Sequence, residues 1–364
     1  MYSYHTRPLG GGEWNGPLIR GLAAAAAVAD RTWSLPCDFG RSRQGLGPPP
    51  ITVVVSGMTS DVKRSQIPLM KCKFGSIMPA RTSPGQTRSA LPSKDPGGSD
   101  KLARGRGVMK IGTANVGTMT GRSGEVVEMA KRRHLDVCCL QETRWKREGA
   151  RTFGNYKFFW AGNREGTAGV GFLVEEGWVD KVLQVTRYSE RIMLLRVRVG
   201  KSVLCVVSVY APQVGRTMEE KEEFFVSLGE VLSTVDAKER LVVCGDLNGH
   251  VGARKEGFEG VHGGYGYGER NAEGEMLLEF ADAMKLVVAN TWFKKEDHRL
   301  VTYESGGCRT VVDYILVRRE ELRWLTNATV VRSEPSLQQH KLLMGTLQLE
   351  DCRRMKEKTV FVSK

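Results

Sequence analysis

Long apolar runs are missing from this chain. The most apolar stretch near its start, Leu18 to Ala29, is mostly Ala, is broken by Arg20 and Gly21, and falls far short of the roughly 20 residues a bilayer-crossing helix needs. No transmembrane helix and no membrane partner are therefore expected. The same stretch makes a poor secretory signal, because Glu13 lies upstream and its apolar segment has no Leu-rich centre. Its Arg-bearing, acid-poor surroundings leave mitochondrial import open, although no strongly amphipathic helix can be read there. Metal-binding Cys and His spacings are missing as well. The eight cysteines, at 37, 72, 138, 139, 205, 244, 308 and 352, form no C-x-x-C pair and no His/Cys zinc pattern, so a zinc site is not expected. Scattered thiols fit a reducing, intracellular compartment. Cys138, Cys139, Cys205 and Cys244 fall in apolar β-like runs, where Cys behaves as a small hydrophobe.

Proline is nearly absent beyond residue 97: eleven of the 13 prolines precede it, including the run Pro48-Pro49-Pro50. Gly, Ser and Arg are dense between Arg81 and Gly107. Such a segment cannot bury enough apolar area to offset its ordering entropy, so residues 1–107 are expected to be disordered. Ile51 to Val55 could form a short strand, with no obvious partner nearby. Residues 350–364 read as a short basic tail. The net charge of +13 points to a polyanionic partner, but +9 of it lies in residues 1–107, which leaves +4 for the rest. Charge alone is thus weak support for nucleic-acid binding by the folded part.

From Val108 onward, short β-branched or apolar runs alternate with turn residues. Strands are expected at Val108–Asn115, Val137–Gln141, Gly169–Val174, Ile192–Val199, Val203–Tyr210, Leu241–Asp246, Leu286–Asn290, Val311–Val317 and Leu342–Leu349. Apolar residues at helical spacing mark three helices, at Ser123–Arg133, Thr217–Val235 and Asn271–Met284. Many strands with few helices do not give the strict alternation of a doubly wound sheet. Two packed sheets flanked by helices suit the order better.

Several of these strands end in a polar or ionisable residue: Asn115, Gln141-Glu142, Tyr210 and Asp246-Leu247-Asn248. For any one of them, the solvent at a strand end is the simpler explanation. A sheet, however, brings its strand ends to one edge, where carboxylates and amides from distant positions can converge. That set suits a hard divalent cation and a phosphate, because Mg²⁺ takes one or two carboxylates and leaves its other positions to water and substrate phosphate.

The ordered string Thr-Ala-Asn115-Val, Leu-Gln-Glu142-Thr, Val-Tyr210-Ala-Pro-Gln, Gly-Asp246-Leu-Asn248-Gly-His, Val-Asp313-Tyr-Ile-Leu and Gln-His340-Lys resembles the endonuclease/exonuclease/phosphatase superfamily. It looks most like the apurinic-type endonuclease domains of non-LTR retrotransposons and the craniofacial development protein 2 group. The resemblance covers residues 108–349 and implies a four-layer α/β sandwich (α+β) of two mixed β-sheets flanked by helices. By the same resemblance Glu142 is the principal Mg²⁺ ligand, with Asn115 beside it and Mn²⁺ as the alternative ion. Asp246 orients or deprotonates the attacking water, Asn248 and Tyr210 hydrogen-bond the scissile phosphate, and Asp313 pairs with His340. The implied activity is Mg²⁺-dependent hydrolysis of DNA phosphodiesters by an apurinic-type or nicking endonuclease, retrotransposon-derived, monomeric and nuclear rather than cytoplasmic. A catalytically impaired DNA-binding or protein-interaction domain is the alternative, as is a phosphodiesterase of the same fold acting on RNA or inositol phosphates.

One position departs from the pattern. Where most of the superfamily has Asp before the final His, this chain has Gln339, a weaker ligand for Mg²⁺. The run Arg144-Trp145-Lys146-Arg147 follows Glu142 and could touch a nucleic-acid backbone, Arg and Lys by neutralising phosphates and Trp by stacking on a base, with Arg144 and Trp145 as the candidate contacts; a solvated loop with one buried Trp explains the run equally well. Thr302 sits where the family often has a Thr-Trp pair and is expected to support the substrate site. The Gly- and Tyr-rich segment Gly260–Arg270 reads as a flexible loop at least as readily as a phosphate cradle.

Overall fold

In the computed structural model, residues 107–332 and 334–349 are described. The expectations for residues 1–106, including the Ile51–Val55 strand, and for the tail at 350–364 lie outside them.

The first sheet is built around β1 (Val108–Asn115) and β2 (Val137–Gln141), which run parallel and are joined by α1 (Ser123–Arg132). Next to β2 come β5 (Val170–Glu175), β4 (Tyr156–Ala161) and β3 (Glu148–Phe153), and next to β1 come β15 (Leu343–Gln348) and β14 (Leu325–Val330). The second sheet repeats the device. Strands β8 (Ser202–Tyr210) and β9 (Arg240–Asp246) run parallel and are joined by α2 (Met218–Ser233). Outside them lie β7 (Ile192–Val199) and β6 (Val182–Arg187) on one side, and β13 (Asp313–Arg318) and β10 (Leu286–Val288) on the other. Helix α3 (Ala272–Ala283) precedes β10, and a hairpin of β11 (Tyr303–Ser305) and β12 (Cys308–Thr310) stands apart from both sheets.

Strand alternation decides what goes where. In β2, Val137 and Cys139 face the second sheet, while Cys138 and Leu140 pack with Val126, Met129 and Ala130 of α1. In β9, Val242 and Cys244 face the first sheet, while Leu241 and Val243 pack with Phe224, Leu228 and Leu277 of the two helices. Both faces of both sheets are thus apolar. The result is four layers, helix, sheet, sheet and helix, as the motifs imply. Phe172 is fully buried between the sheets, and its truncation to Ala would cost about 3–5 kcal/mol.

Of the three expected helices, α2 and α3 start where short polar residues cap them. The Thr217 hydroxyl accepts the Glu220 N–H while the Glu220 carboxylate accepts the Thr217 N–H, and the Asn271 side chain accepts the Gly274 N–H. Their ends fall within two residues of expectation.

The expected strand Leu286–Asn290 is shorter. It stops at Val288 and turns into a 3₁₀ segment, Ala289–Trp292. The Asn290 side chain explains the stop: its Nδ2 donates to Asp313 O and its Oδ1 accepts from Ile315 N, which replaces the next rung of pairing with β13. Strands β3, β4, β6, β11, β12 and β14 were not expected from the sequence. Most are edge or hairpin strands with exposed polar residues, so neither an apolar run nor strict alternation marks them. The β3–β4 hairpin does carry a turn signal, Gly154-Asn155, with Gly154 at φ 53°.

Candidate active site

Parallel pairing places the carboxyl ends of β1 and β2 side by side, with Asn115 opposite Gln141, and those of β8 and β9 likewise, with Tyr210 opposite Asp246. Strand β13 runs antiparallel to β9, so its first residue, Asp313, also lies opposite Asp246. His340 reaches the same edge through a bridge to Tyr303 at the start of the hairpin, with the two rings 4.9 Å apart. Register alone therefore brings residues from six sequence segments to one place.

Asn115 joins the two sheets. Its Nδ2 donates to Glu142 Oε1 at 2.9 Å and to Asp246 Oδ2 at 3.0 Å, while its Oδ1 accepts the Gly117 N–H. The Glu142 carboxylate also accepts from Tyr210 OH at 2.8 Å and from Arg144 Nη2 at 2.8 Å. Burial alone would raise the Glu142 carboxyl, but hydrogen bonds from Asn115, Arg144 and Tyr210 hold it below the ordinary value. Burial, followed by the charge of Glu142, raises the Tyr210 phenol and keeps it a donor.

Asp246 lives in a different environment. It is 1% exposed; full burial, then the charge of Asp313, push its carboxyl up to about 7, against the pull of His340, Asn115 and the Asn248 N–H. His340 Nδ1 lies 3.0 Å from Asp313 Oδ2, and His340 Nε2 lies 3.8 Å from Asp246 Oδ2. Burial would lower the imidazole, yet Asp313 and then Asp246 and Glu142 raise it to about 9. At neutral pH the group is an imidazolium clasped between two buried carboxylates.

Two arrangements could be read as a metal centre. Ligand atoms of Asp246, Asp313 and His340 lie within 4.8 Å of one another. That trio carries its own cation, the imidazolium, whose Nδ1 is engaged by Asp313. Glu142 fits a hard divalent cation better: its carboxyl is held below the ordinary value, its side chain is 12% exposed at the cleft, and its outer oxygen accepts from the exposed Arg144 side chain. A cation there would also favour the costly ionisation of Asp246 next to it. In this arrangement Asn115, expected beside the metal, turns donor hydrogens rather than its oxygen toward the cleft. Gln339 faces away, its Nε2 donating to Ser305 Oγ.

The remaining expected residues divide. Asn248, with φ 49°, follows the β9 exit; its N–H caps Asp246 Oδ1 and its Nδ2 donates to Ala211 O. Thr302 is fully buried, and its hydroxyl accepts the N–H groups of Val312 and Asp313. It braces the start of β13 rather than facing substrate. Trp145 is half-buried, its ring edge-on to Phe158 and Trp160 at 5.3 and 4.9 Å, so aromatic packing engages it. Sequence reasoning missed two supports of Tyr210. Gln213 donates to its hydroxyl at 3.0 Å; Arg191 donates to its carbonyl and lies over its ring, 5.1 Å from the centroid. Gln213 lies within the Val-Tyr-Ala-Pro-Gln motif, but nothing in the sequence marks Arg191.

Known proteins resemble this chain in sequence and in fold. Craniofacial development protein 2 from Bos taurus is 27% identical over 247 residues, covering 66% of this chain and 41% of the relative, so the chain spans about two fifths of that protein's length. Among solved structures, the AP endonuclease LMAP from Leishmania major superposes with a TM-score of 0.52 at 13% identity, covering 71% of this chain and 92% of that one. The 3'-5' exonuclease NExo from Neisseria meningitidis gives 0.51 at 16% identity, covering 66% and 100%. At such identities the likeness is one of fold. The sequence profile of the Endonuclease/Exonuclease/phosphatase family matches residues 112–326, a span holding both sheets' central strands and every site residue named above except Gln339 and His340, and the chain belongs to that family.

Proposed function

We propose that this protein is a metal-dependent hydrolase of DNA phosphodiesters, an endonuclease of the apurinic or nicking kind. The observation that carries the reading is the meeting, at one edge, of Glu142 and Asp246, bridged by the Asn115 amide, with His340, whose ring nitrogens lie 3.0 Å from Asp313 and 3.8 Å from Asp246. A phosphodiester resists attack because its anionic oxygens repel a nucleophile, so the site must supply positive charge, donors and a base. His340 supplies charge, with Nε2 toward the cleft and Nδ1 anchored on Asp313. Asn248 can offer its second Nδ2 hydrogen to a phosphate oxygen, and Tyr210 OH, whose one hydrogen goes to Glu142, would have to turn it to the phosphate when substrate binds. Asp246, near pH 7, can take the proton of the attacking water. Mg²⁺, or Mn²⁺, would be held by Glu142 and when bound supplies further positive charge at the phosphate.

DNA as substrate draws support from the apurinic-type motif order and from the fold neighbours, an AP endonuclease and a 3'-5' exonuclease. Descent from a non-LTR retrotransposon endonuclease, a monomeric state and a nuclear place go with the same reading. The test uses the full chain with Mg²⁺ on supercoiled plasmid and on an oligonucleotide with one abasic site, beside Asp246→Ala and His340→Ala. Cutting by the unsubstituted chain alone is expected. Equal and negligible cutting by all three would sink the proposal.

A further inference from the structure

Beyond Glu142 the chain leaves β2 through three residues of positive φ, Glu142 (52°), Arg144 (52°) and Arg147 (60°). Left-handed backbone is uncommon for non-glycine residues and persists where surroundings hold it. Here the surroundings are the loop between β4 and β5. Arg144 N donates to Ala168 O, Arg147 N donates to Asn163 O and Gly162 N donates to Arg147 O. A Cβ on Gly162 would stand 1.7 Å from Trp145 O, so only glycine allows the loops to close. Asn163 stiffens the second loop, its Oδ1 accepting the N–H groups of Gly166 and Thr167. Trp145 turns inward and locks the first.

The two loops together present Lys146, Arg147 and Arg164 to solvent around a hollow of about 590 Å³ lined by these three side chains. Among the described residues, none of the three has a carboxylate partner, although Glu165 lies in the same loop and Glu148 follows Arg147. Arg144, the neighbouring cation, is engaged by Glu142. Three unpaired cations on a stiff ledge repel one another and gain most from a counter-anion that carries several charges at fixed spacing. Lys146 lies four and Arg147 five residues beyond Glu142, so at up to about 3.6 Å per residue the ledge starts at most about 18 Å away, about five nucleotides of one DNA strand at 3.4 Å each.

We propose that Lys146, Arg147 and Arg164 form a track for the phosphate backbone of duplex DNA on the β2 side of the cleft, holding the strand in place without reading bases. The inference rests on the DNA reading above. It differs from the sequence expectation for this loop, because the stacking residue Trp145 is withdrawn and Arg164, from a separate loop, takes its place as a contact.

The test is the salt dependence of binding of a short fluorescent duplex by the full chain in EDTA, where no cutting intervenes. Each phosphate neutralised contributes about 0.9 to the slope of log affinity against log salt. Lys146→Ala/Arg147→Ala/Arg164→Ala is expected to flatten that slope by about 2 to 3. The control, Arg198→Ala/Lys201→Ala/Lys238→Ala, removes as many exposed cations at the opposite ends of the strands and is expected to leave it unchanged. An unaltered slope in the first variant, or equal flattening in both, overturns the track. Failure of the unsubstituted chain to bind the duplex would instead overturn the DNA reading itself.

Discussion

Glu142, at the exit of β2, and Asp246, at the exit of β9, share the two hydrogens of one amide, that of Asn115, yet their acidities move in opposite directions. The first sheet leaves its carboxylate a narrow opening to the cleft and surrounds it with donors, so it stays ionised. The second sheet buries its carboxylate completely beside another, so ionisation is costly until an imidazolium answers it. Two identical functional groups thereby divide the work: one is a standing negative charge suited to a cation, the other a base working near neutrality.

Substitution at Asp246 should break this contrast most severely. Asp246→Asn keeps the shape and removes the base, so cleavage is expected to fall by about 10³-fold, while the lost repulsion from Asp313 leaves thermal unfolding no lower than before. A variant that kept a tenth of the rate would show that Asp246 is not the base.

Stability should separate the halves next. His340→Ala leaves Asp313 and Asp246 buried without their counter-charge and is expected to cost about 3 kcal/mol or more, measured by urea unfolding, whereas Glu142→Gln at the open half should cost less than about 1 kcal/mol. Equal costs would mean that the imidazolium is not structurally paired.

A pH profile sharpens the second half further. His340 must be protonated to act, and its pKa is raised to about 9, so activity should fall as pH rises through about 9. The sign for stability is the same: a raised folded-state value means the pairing stabilises fully below the ordinary value of 6.5 and is lost through about 9. In Asp313→Asn, which loses the charge that raises it most, the alkaline limb should move down. A limb that stays near 9 would assign it to another group.

The smallest effect is expected at Gln339. Its side chain is exposed and turned to Ser305, so Gln339→Asp should change the rate by less than about threefold at saturating Mg²⁺. A larger gain would mean that this position joins the metal side after all.

Much of this was legible in the residues. The unbroken apolar run Val137-Cys138-Cys139-Leu140 between Asp136 and Gln141 marks a strand covered on both faces, and six motifs in order name the residues at the edge. What escaped were elements whose signals are weak for physical reasons. Strand β3 is an exposed edge of Glu, Arg and Thr, and Asn290 ends β10 through a side chain that copies backbone pairing. Thr302 reads as support for the substrate site by its place in the motif order, and Trp145 reads toward substrate by its type. Which way a side chain turns is set by neighbours remote in sequence, Val312 for one and Trp160 for the other.

The sequence by itself determined the family, the layered architecture and the identity of the polar residues at the strand ends, because periodicity, caps and motif order are local properties that survive without coordinates. Only the tertiary structure decided what those residues are. Asn115 reaches Asp246 across 131 positions of chain, and the burial that raises Asp246 and the pair of carboxylates that charges His340 exist only once two sheets have closed on each other. Acidity depends on solvent exclusion and on charges a few ångströms away, and neither distance is written in a linear order.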